Sequence, residues 1–179
     1  MDGFGATKIR EIHHSPEVLD KDGFWAVHVT YEGEWTCALL EDIQEMDFPR
    51  HAWEENAVTW SSSMSENEYR DYVEEIRSAI SRGDIYQANA CRILSRPVQS
   101  RDLRGLFTSL LLNNPAPYSC YFNIDGCEIA SASPENFLTL EGEHDAVRLT
   151  TSPIKGTSTI SDFGEKDRAE NIMIVDLMR

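Results

Sequence analysis

The sequence predicts an α+β fold in which antiparallel hairpins are interspersed with helices. The first observation behind this prediction is a complete helix signal, with an N-cap at Ser65 and a stop at Gly83. The second is a two-residue turn, Asp125-Gly126, between two segments that suit β-strands. The third is the lack of regular strand–helix alternation, which argues against a doubly wound parallel sheet.

The composition limits the classes of partner. The chain has 179 residues, of which 41% are hydrophobic and 26% are charged, and this suits one globular domain or slightly more. Asp and Glu outnumber Lys and Arg by 31 to 16, so the formal net charge is −15. This charge repels phosphate backbones and anionic membranes, so we expect no nucleic acid or membrane partner. Because no apolar stretch reaches the ~20 residues of a membrane span and the N-terminus lacks a signal-peptide core, we expect a cytoplasmic protein.

The cysteines and histidines do not form a recognisable metal site. The five histidines have no metal-ligand spacing, and no pair of cysteines shows the Cys-x-x-Cys spacing of zinc sites. Disulfides are not needed for a chain of this size in a reducing compartment. We therefore interpret the four cysteines as small buried hydrophobes: Cys37, Cys91, Cys120 and Cys127.

The first half of the chain predicts two strands, a helix and a further strand. Segments Phe24–Tyr31 and Glu34–Leu40 are typical of a hairpin joined at Glu32-Gly33. Ser65 and Glu68 form a capping box at the start of the clearest helix. After that helix, the sequence from Ile85 to Leu94 predicts a strand. The apolar stripe of the helix consists of Tyr69, Tyr72, Val73, Ile76, Ala79 and Ile80.

The second half predicts a helix, two hairpins and a last helix. Apolar residues from Leu103 to Leu111 indicate a helix that ends at Asn114-Pro115, and a helix from about Glu165 runs to Arg179 without a stop signal. Because the sequence finishes inside an amphipathic helix, we expect the chain to be truncated. The first hairpin comprises Tyr118–Ile124 and Cys127–Ser133, and the second, looser one comprises Phe137–Leu140 and Ala146–Leu149.

Three short segments carry candidate chemistry. Glu135 follows a proline at the end of a strand, where the rim of a sheet holds a carboxylate rigidly. Lys155 is followed by Gly156, which permits close approach of a ligand, and by Thr157, so this turn offers N–H donors to an anion. Glu170 adds a carboxylate near the start of the last helix. Each residue alone is more simply a surface residue, but together they suit an anionic substrate bound through a divalent metal. The segments are Ser133-Pro134-Glu135, Pro153–Thr157 and Lys166–Asn171.

Residues 61–179 resemble the chorismate-binding domain of the family that contains anthranilate synthase, aminodeoxychorismate synthase and isochorismate synthase. Five motifs in the expected order carry this resemblance, which is more specific than any one of them alone. They are Gly83–Asn89, Asn114–Tyr118, Ser131–Phe137, Pro153–Thr157 and the closing KDRAENIMIVDLMR.

The resemblance implies a fold and a set of site residues. The fold is an antiparallel β-sandwich flanked by helices, here incomplete, with residues 1–60 as the family's variable N-terminal region and 61–179 as the N-terminal portion of the chorismate-binding domain. Lys155 is implied as the nucleophile, Glu135 as the general acid and Glu170 as a ligand of Mg²⁺. The backbone amides of Gly156 and Thr157 are implied to hold the substrate anion.

Two positions sort the family members by reaction. Family members that add water to chorismate usually carry lysine where this chain has Gln87, which implies ammonia as the nucleophile. Anthranilate synthases usually carry alanine where this chain has Lys155. Within the family, the chain therefore resembles component I of the aminodeoxychorismate synthases, which uses ammonia from a class I glutamine amidotransferase partner. Gln87 and Ser133 complete the implied substrate-binding set.

Three alternatives stay open at this point. The first is anthranilate synthase component I, which Lys155 disfavours. The second is a non-catalytic fragment, because the family continues beyond Arg179 with a second carboxylate that binds Mg²⁺. The third is an acidic α+β domain without this chemistry, which the five ordered motifs disfavour.

Overall fold

The computed structural model describes residues 3–53, 59–97, 102–142, 146–154 and 164–178. All strand pairs in these ranges are antiparallel, which confirms a mixed fold with antiparallel sheets. The strands are β1 Gly3–Gly5, β2 Lys8–His13, β3 Phe24–Val29, β4 Trp35–Glu41, β5 Gln44–Met46, β6 Ser61–Ser62, β7 Leu94–Ser95, β8 Tyr118–Ile124, β9 Cys127–Ser133, β10 Asn136–Glu141 and β11 Arg148–Ser152, and the helices are α1 Glu66–Arg82, α2 Arg104–Asn113 and α3 Glu165–Leu177.

The chain divides into two compact units. The larger unit combines Met1–Trp53 with Asp102–Arg179, and the smaller unit is Glu54–Arg101. Within the described residues, no helix is long and apolar enough to cross a membrane.

Helix α1 of the smaller unit is capped as the sequence predicts. The Ser65 hydroxyl accepts a hydrogen bond from the Glu68 backbone N–H at 3.3 Å, and the Glu68 carboxylate accepts one from the Ser65 N–H at 2.7 Å. These bonds hold the pKa of the Glu68 carboxyl below its usual value, and the bond from the Ser65 backbone has the largest effect. Gly83 ends the helix at φ 78°, in the left-handed region that glycine adopts without strain.

The predicted strand from Ile85 to Leu94 is wrong. Only Leu94–Ser95 forms a strand, as a two-residue ribbon with Ser61–Ser62. A strand needs a neighbouring chain to accept its backbone hydrogen bonds, and in the described residues that neighbour is present only at the end of the segment. Ile93, which directly precedes the ribbon, stays 62% exposed.

The N-terminal part of the larger unit forms a three-stranded sheet in the order β2-β4-β3. The predicted hairpin is confirmed as β3 and β4, with Gly33 in its turn at φ 87°. The central strand β4 carries Cys37 and Ala38, which have no solvent exposure. Strand β2 was not predicted; it pairs with β4 from the other side.

Hairpin β8–β9 is confirmed with its predicted turn. Asp125 and Gly126 both have positive φ, at 55° and 77°, as a type I′ turn requires. Helix α2, which confirms the second predicted helix, contributes Phe107 to a small core where this side chain is 4% exposed. The ring of Phe107 meets the ring of Phe48 edge to face at 4.7 Å and that of Tyr121 at 5.8 Å.

The interpretation of the cysteines is correct at one position. Cys37 is fully buried, and its thiol donates to the Ser15 carbonyl at 3.8 Å. Cys127 is half-buried, whereas Cys91 and Cys120 are exposed, so the interpretation is wrong for these two. Cys120 lies on β8 and Cys91 lies in a segment without regular secondary structure, and the sequence does not show whether either position faces a core. All four thiols are free.

Strands β10 and β11 and helix α3 expose much of their apolar surface. The predicted hairpin and last helix are confirmed in position. On one face of the hairpin Leu140 pairs with Leu149, and these side chains are 66% and 62% exposed. On α3, Ile172 is 71% exposed. The described strands form separate sheets of two or three strands, so the complete sandwich stays a prediction.

Replacing Phe107 with alanine is expected to destabilise the larger unit by about 3–5 kcal/mol, because the variant loses a buried ring and leaves a cavity. Phe137→Ala provides the matched control, since this ring is 78% exposed, and its expected cost is below about 0.5 kcal/mol. Urea unfolding of both variants, followed by circular dichroism, measures the difference. Equal losses of unfolding free energy in the two variants would show that Phe107 does not contribute to a packed core.

Candidate functional site

Glu135 lies where β9 passes into β10. Strand β9 ends at Ser133, and β10 begins at Asn136. Pro134 cannot donate a backbone hydrogen bond, which favours the end of a ladder at this point. The Ser133 hydroxyl donates to the Glu135 carbonyl oxygen at 3.2 Å, and both residues are half-buried. The structure thus brings together two of the predicted site residues and fixes the backbone that carries the Glu135 carboxyl group.

A second carboxylate holds β9 in place. Oε1 of Glu128 accepts hydrogen bonds from the Leu103 backbone N–H at 2.7 Å and from the Tyr121 hydroxyl. Leu103 directly precedes α2 and does not cap the helix with its own side chain, so Glu128 satisfies a donor at the helix N-terminus from a different element. None of the sequence motifs indicates this residue. The available signal was a single acidic residue within the otherwise uncharged strand Cys127–Ser133.

The N-terminus of α2 carries a further ion pair beside Glu128. The Arg104 guanidinium and backbone N–H both donate to the Asp102 carboxylate, with the shortest bond at 2.6 Å. These bonds hold the pKa of Asp102 well below its usual range. Burial, followed by the hydrogen bond to Glu128, raises the pKa of Tyr121. The hydroxyl of Tyr121 is therefore kept protonated as a donor.

Strand pairing becomes irregular immediately after Glu135. The register between β10 and β11 shifts between Asn136 and Thr139, as in a β-bulge, and the Asn136 amide donates to the Thr139 hydroxyl at 3.0 Å. On β11, the buried hydroxyl of Thr151 has no hydrogen-bond partner among the residues that the structure describes. An unpaired buried hydroxyl costs about 1–3 kcal/mol. Sequences retain such costs most often at functional sites.

Gln87 lies in the smaller unit, between α1 and β7. The residue is half-buried, and its Nε2 donates to Oδ1 of Asn89 at 3.0 Å. The segment around it has no regular secondary structure. The motif Gly83–Asn89 indicated Gln87 as a site residue, and Asn89 is a second polar residue of the same motif that was not predicted.

Glu170 is half-buried on α3, whose first turn is closed by a bond from the Gly164 N–H to the Asp167 carboxylate at 3.1 Å. The described residues contain no group of three side chains able to hold a metal ion. Mg²⁺ binds through one or two carboxylates and shares its other positions with substrate and water, so a lone carboxylate supplies one part of a magnesium site. Glu170 is therefore compatible with the predicted metal role.

The remaining predicted site residues, Lys155, Gly156 and Thr157, lie outside the described residues. Their roles stay predictions.

Comparison with known proteins agrees with the motifs. Residues 20–179 match the model of the family described as chorismate binding enzyme, and the chain belongs to this family. Its relatives include aminodeoxychorismate synthase component 1 of Escherichia coli, 33% identical over 98% of this chain and 45% of the relative. They also include the protein of the same name from Salmonella typhimurium, 34% identical over 67% of the chain and 28% of the relative. Anthranilate synthase component 1 1 of Haloarcula marismortui is 32% identical over 70% of the chain and 27% of the relative.

These relatives confirm the predicted family. Relatives named for two different reactions have similar sequence identity to this chain, at 32% to 34%, so identity does not separate the two reactions. The chain spans less than half the length of each of these three relatives. No solved structure matches the chain significantly.

Raising the pH is expected to weaken the larger unit through Tyr121. Because the folded-state pKa of Tyr121 is raised, its stabilising contribution is fully present below the unfolded pKa of about 10 and is lost as the pH rises through the folded value. We expect the free energy of unfolding to fall as the pH rises above about 10, and to fall less in Tyr121→Phe.

The matched control for this pH dependence is Tyr31→Phe, because Tyr31 is fully exposed. This variant is expected to follow the parent chain across the range. If Tyr121→Phe also follows the parent chain, the Tyr121–Glu128 bond does not couple protonation to folding.

Proposed function

We propose that this chain is the chorismate-binding part of an aminodeoxychorismate synthase component I. In this proposal the enzyme converts chorismate and ammonia to 4-amino-4-deoxychorismate, an aminotransferase-type step toward p-aminobenzoate and folate in the cytoplasm. The observation that carries the proposal is the presence of both Gln87 and Lys155 in a chain of the chorismate-binding enzyme family.

Gln87 supports ammonia over water as the nucleophile. A general base must remove a proton from water before water attacks a carbon centre, and a lysine amine serves this purpose. The carboxamide of glutamine does not take up a proton at neutral pH. Ammonia attacks through its own lone pair and needs no such base.

Lys155 supports aminodeoxychorismate rather than anthranilate as the product. In the proposed mechanism the Lys155 amine bonds to C2 of chorismate, while the C4 hydroxyl leaves as water with a proton from Glu135. Ammonia then bonds to C4 and the lysine is expelled, so one water is released for each ammonia incorporated. A free lysine of pKa ~10.4 is uncharged at pH 7 in about one molecule of 2,500, so this role requires burial or a nearby cation to lower its pKa.

Mg²⁺ and a partner subunit complete the proposal. Glu170 would hold the metal, which when bound neutralises a carboxylate of the substrate. The Ser133 hydroxyl keeps the Glu135 backbone in place, and the amides of Gly156 and Thr157 would hold the substrate anion. The ammonia would come from a class I glutamine amidotransferase, for which the "component 1" in the relatives' names is the supporting observation.

Anthranilate synthase component I is the second candidate, because relatives of that name match this chain as well as aminodeoxychorismate synthases do. The two reactions start from the same substrates and differ in the product. The product therefore distinguishes them.

The first test of the proposal uses the extended protein, defined as this chain joined to the C-terminal portion of its relatives that it does not cover. With chorismate, ammonia and Mg²⁺, we expect 4-amino-4-deoxychorismate as the main product by liquid chromatography. Anthranilate or isochorismate in its place would contradict the proposal. The 179-residue chain alone serves as the comparison and is expected to be inactive, since one carboxylate does not complete a magnesium site.

The second test concerns the nucleophile. Intact-mass spectrometry of quenched reactions is expected to detect a covalent substrate adduct on the extended protein and none on its Lys155→Ala variant. Lys8→Ala is the matched control, because Lys8 is an exposed lysine paired with Glu41, and this variant should retain the adduct. Thermal unfolding should differ little among the three proteins. An adduct that persists in Lys155→Ala would place the nucleophile elsewhere.

A further inference from the structure

The hydrogen bond between Gln87 and Asn89 determines which end of the Gln87 amide can meet a ligand. A carboxamide has two ends of opposite character, with Nε2 as a donor and Oε1 as an acceptor. Nε2 of Gln87 donates to Asn89 Oδ1 at 3.0 Å. Among the described residues none donates to Gln87 Oε1. The bond therefore directs the donor end of the Gln87 amide toward Asn89 and leaves its acceptor end available.

An acceptor suits ammonia as the incoming nucleophile. Ammonia has three N–H donors and one lone pair, and the lone pair forms the new bond to carbon. An N–H donor from the protein would engage that lone pair and hinder attack. An oxygen acceptor binds ammonia through one of its hydrogens and leaves the lone pair free.

We propose that Asn89 is a positioning residue that turns the Oε1 end of Gln87 toward ammonia. Asn89 acts through Gln87 and has no contact with the reacting atoms in this proposal. The inference rests on the proposed function, because it assigns a role in the use of ammonia. It extends that function because it identifies Asn89 as the residue that orients the Gln87 amide. The presence of glutamine at position 87 does not by itself determine that orientation.

Two substitutions at Asn89 separate orientation from the mere presence of a polar side chain. Asn89→Leu has a similar shape and no acceptor, so the Gln87 amide is free to turn over. Asn89→Asp offers acceptors only, so it keeps Nε2 of Gln87 directed toward position 89. Asn123→Leu is the matched control, since the exposed Asn123 also makes one side-chain hydrogen bond, in this case as the donor to the Tyr121 hydroxyl at 3.3 Å.

The experiment measures steady-state kinetics of the extended protein with ammonia as the varied substrate. We expect Asn89→Leu to raise the KM for ammonia about 3- to 10-fold, the range of one lost neutral hydrogen bond. The KM for chorismate and the kcat at saturating ammonia should stay within about twofold. Asn89→Asp and Asn123→Leu should keep the KM for ammonia within about twofold of the parent. Thermal unfolding of each variant shows whether it is folded.

The possible results separately test the role of Asn89, the orientation of the Gln87 amide and the proposed function. An unchanged KM for ammonia in Asn89→Leu would overturn the role of Asn89. If Asn89→Asp raises the KM for ammonia as much as Asn89→Leu does, the donor end of Gln87 is the end that contacts ammonia, and the proposed orientation is wrong. If Asn89→Leu does not fold, the Asn89→Asp result alone decides the orientation. A parent protein that makes no 4-amino-4-deoxychorismate contradicts the proposed function itself, before any variant is compared.

Discussion

The Glu128 carboxylate is the interaction on which the arrangement of the larger unit depends. It accepts a hydrogen bond from the backbone at the start of α2 and another from the Tyr121 hydroxyl on β8. One side chain thus joins the helix to both strands of the β8–β9 hairpin. The same strand β9 continues to Ser133, where the ladder ends and Glu135 follows. Because Glu128 is only half-buried, the loss of one of these donors would cost about 1–3 kcal/mol.

Stability is distributed unevenly over the described residues. The apolar side chains that are buried form two small groups, one on the central strand β4 and one between α2 and the β8–β9 hairpin. By contrast, Leu140 and Leu149 on the second hairpin are more than half exposed. A two-stranded hairpin is at best marginally stable in water without a layer against its apolar face. The candidate acid Glu135 therefore lies at the boundary between a packed hairpin and one whose apolar face is open.

Features encoded within a few residues could be predicted from the sequence, and features that depend on a distant partner could not. The Ser65 cap and the Asp125-Gly126 turn are local, and the structure has both. The prediction of a strand from Ile85 to Leu94 was wrong because a strand requires a neighbouring strand, and in the described residues only the end of this segment has one. For the candidate site, the motifs indicated Ser133 and Glu135, and the structure adds a hydrogen bond between them, while their roles stay predictions. The motifs gave no information on Glu128, because its partners lie 25 and 7 residues away along the chain.

The net charge of −15 has different consequences for the two substrates of the proposed reaction. Chorismate is a dianion, so the overall field opposes its approach, although salt at physiological strength limits this effect to about 8 Å. Its binding must therefore depend on charges and N–H groups within the site itself. Ammonia is neutral, so its capture gains nothing from the field and depends on short-range hydrogen bonds alone. In the proposed reaction, the uncharged Gln87 amide, whose Nε2 donates to Asn89, would meet that requirement without adding a charge near the substrate.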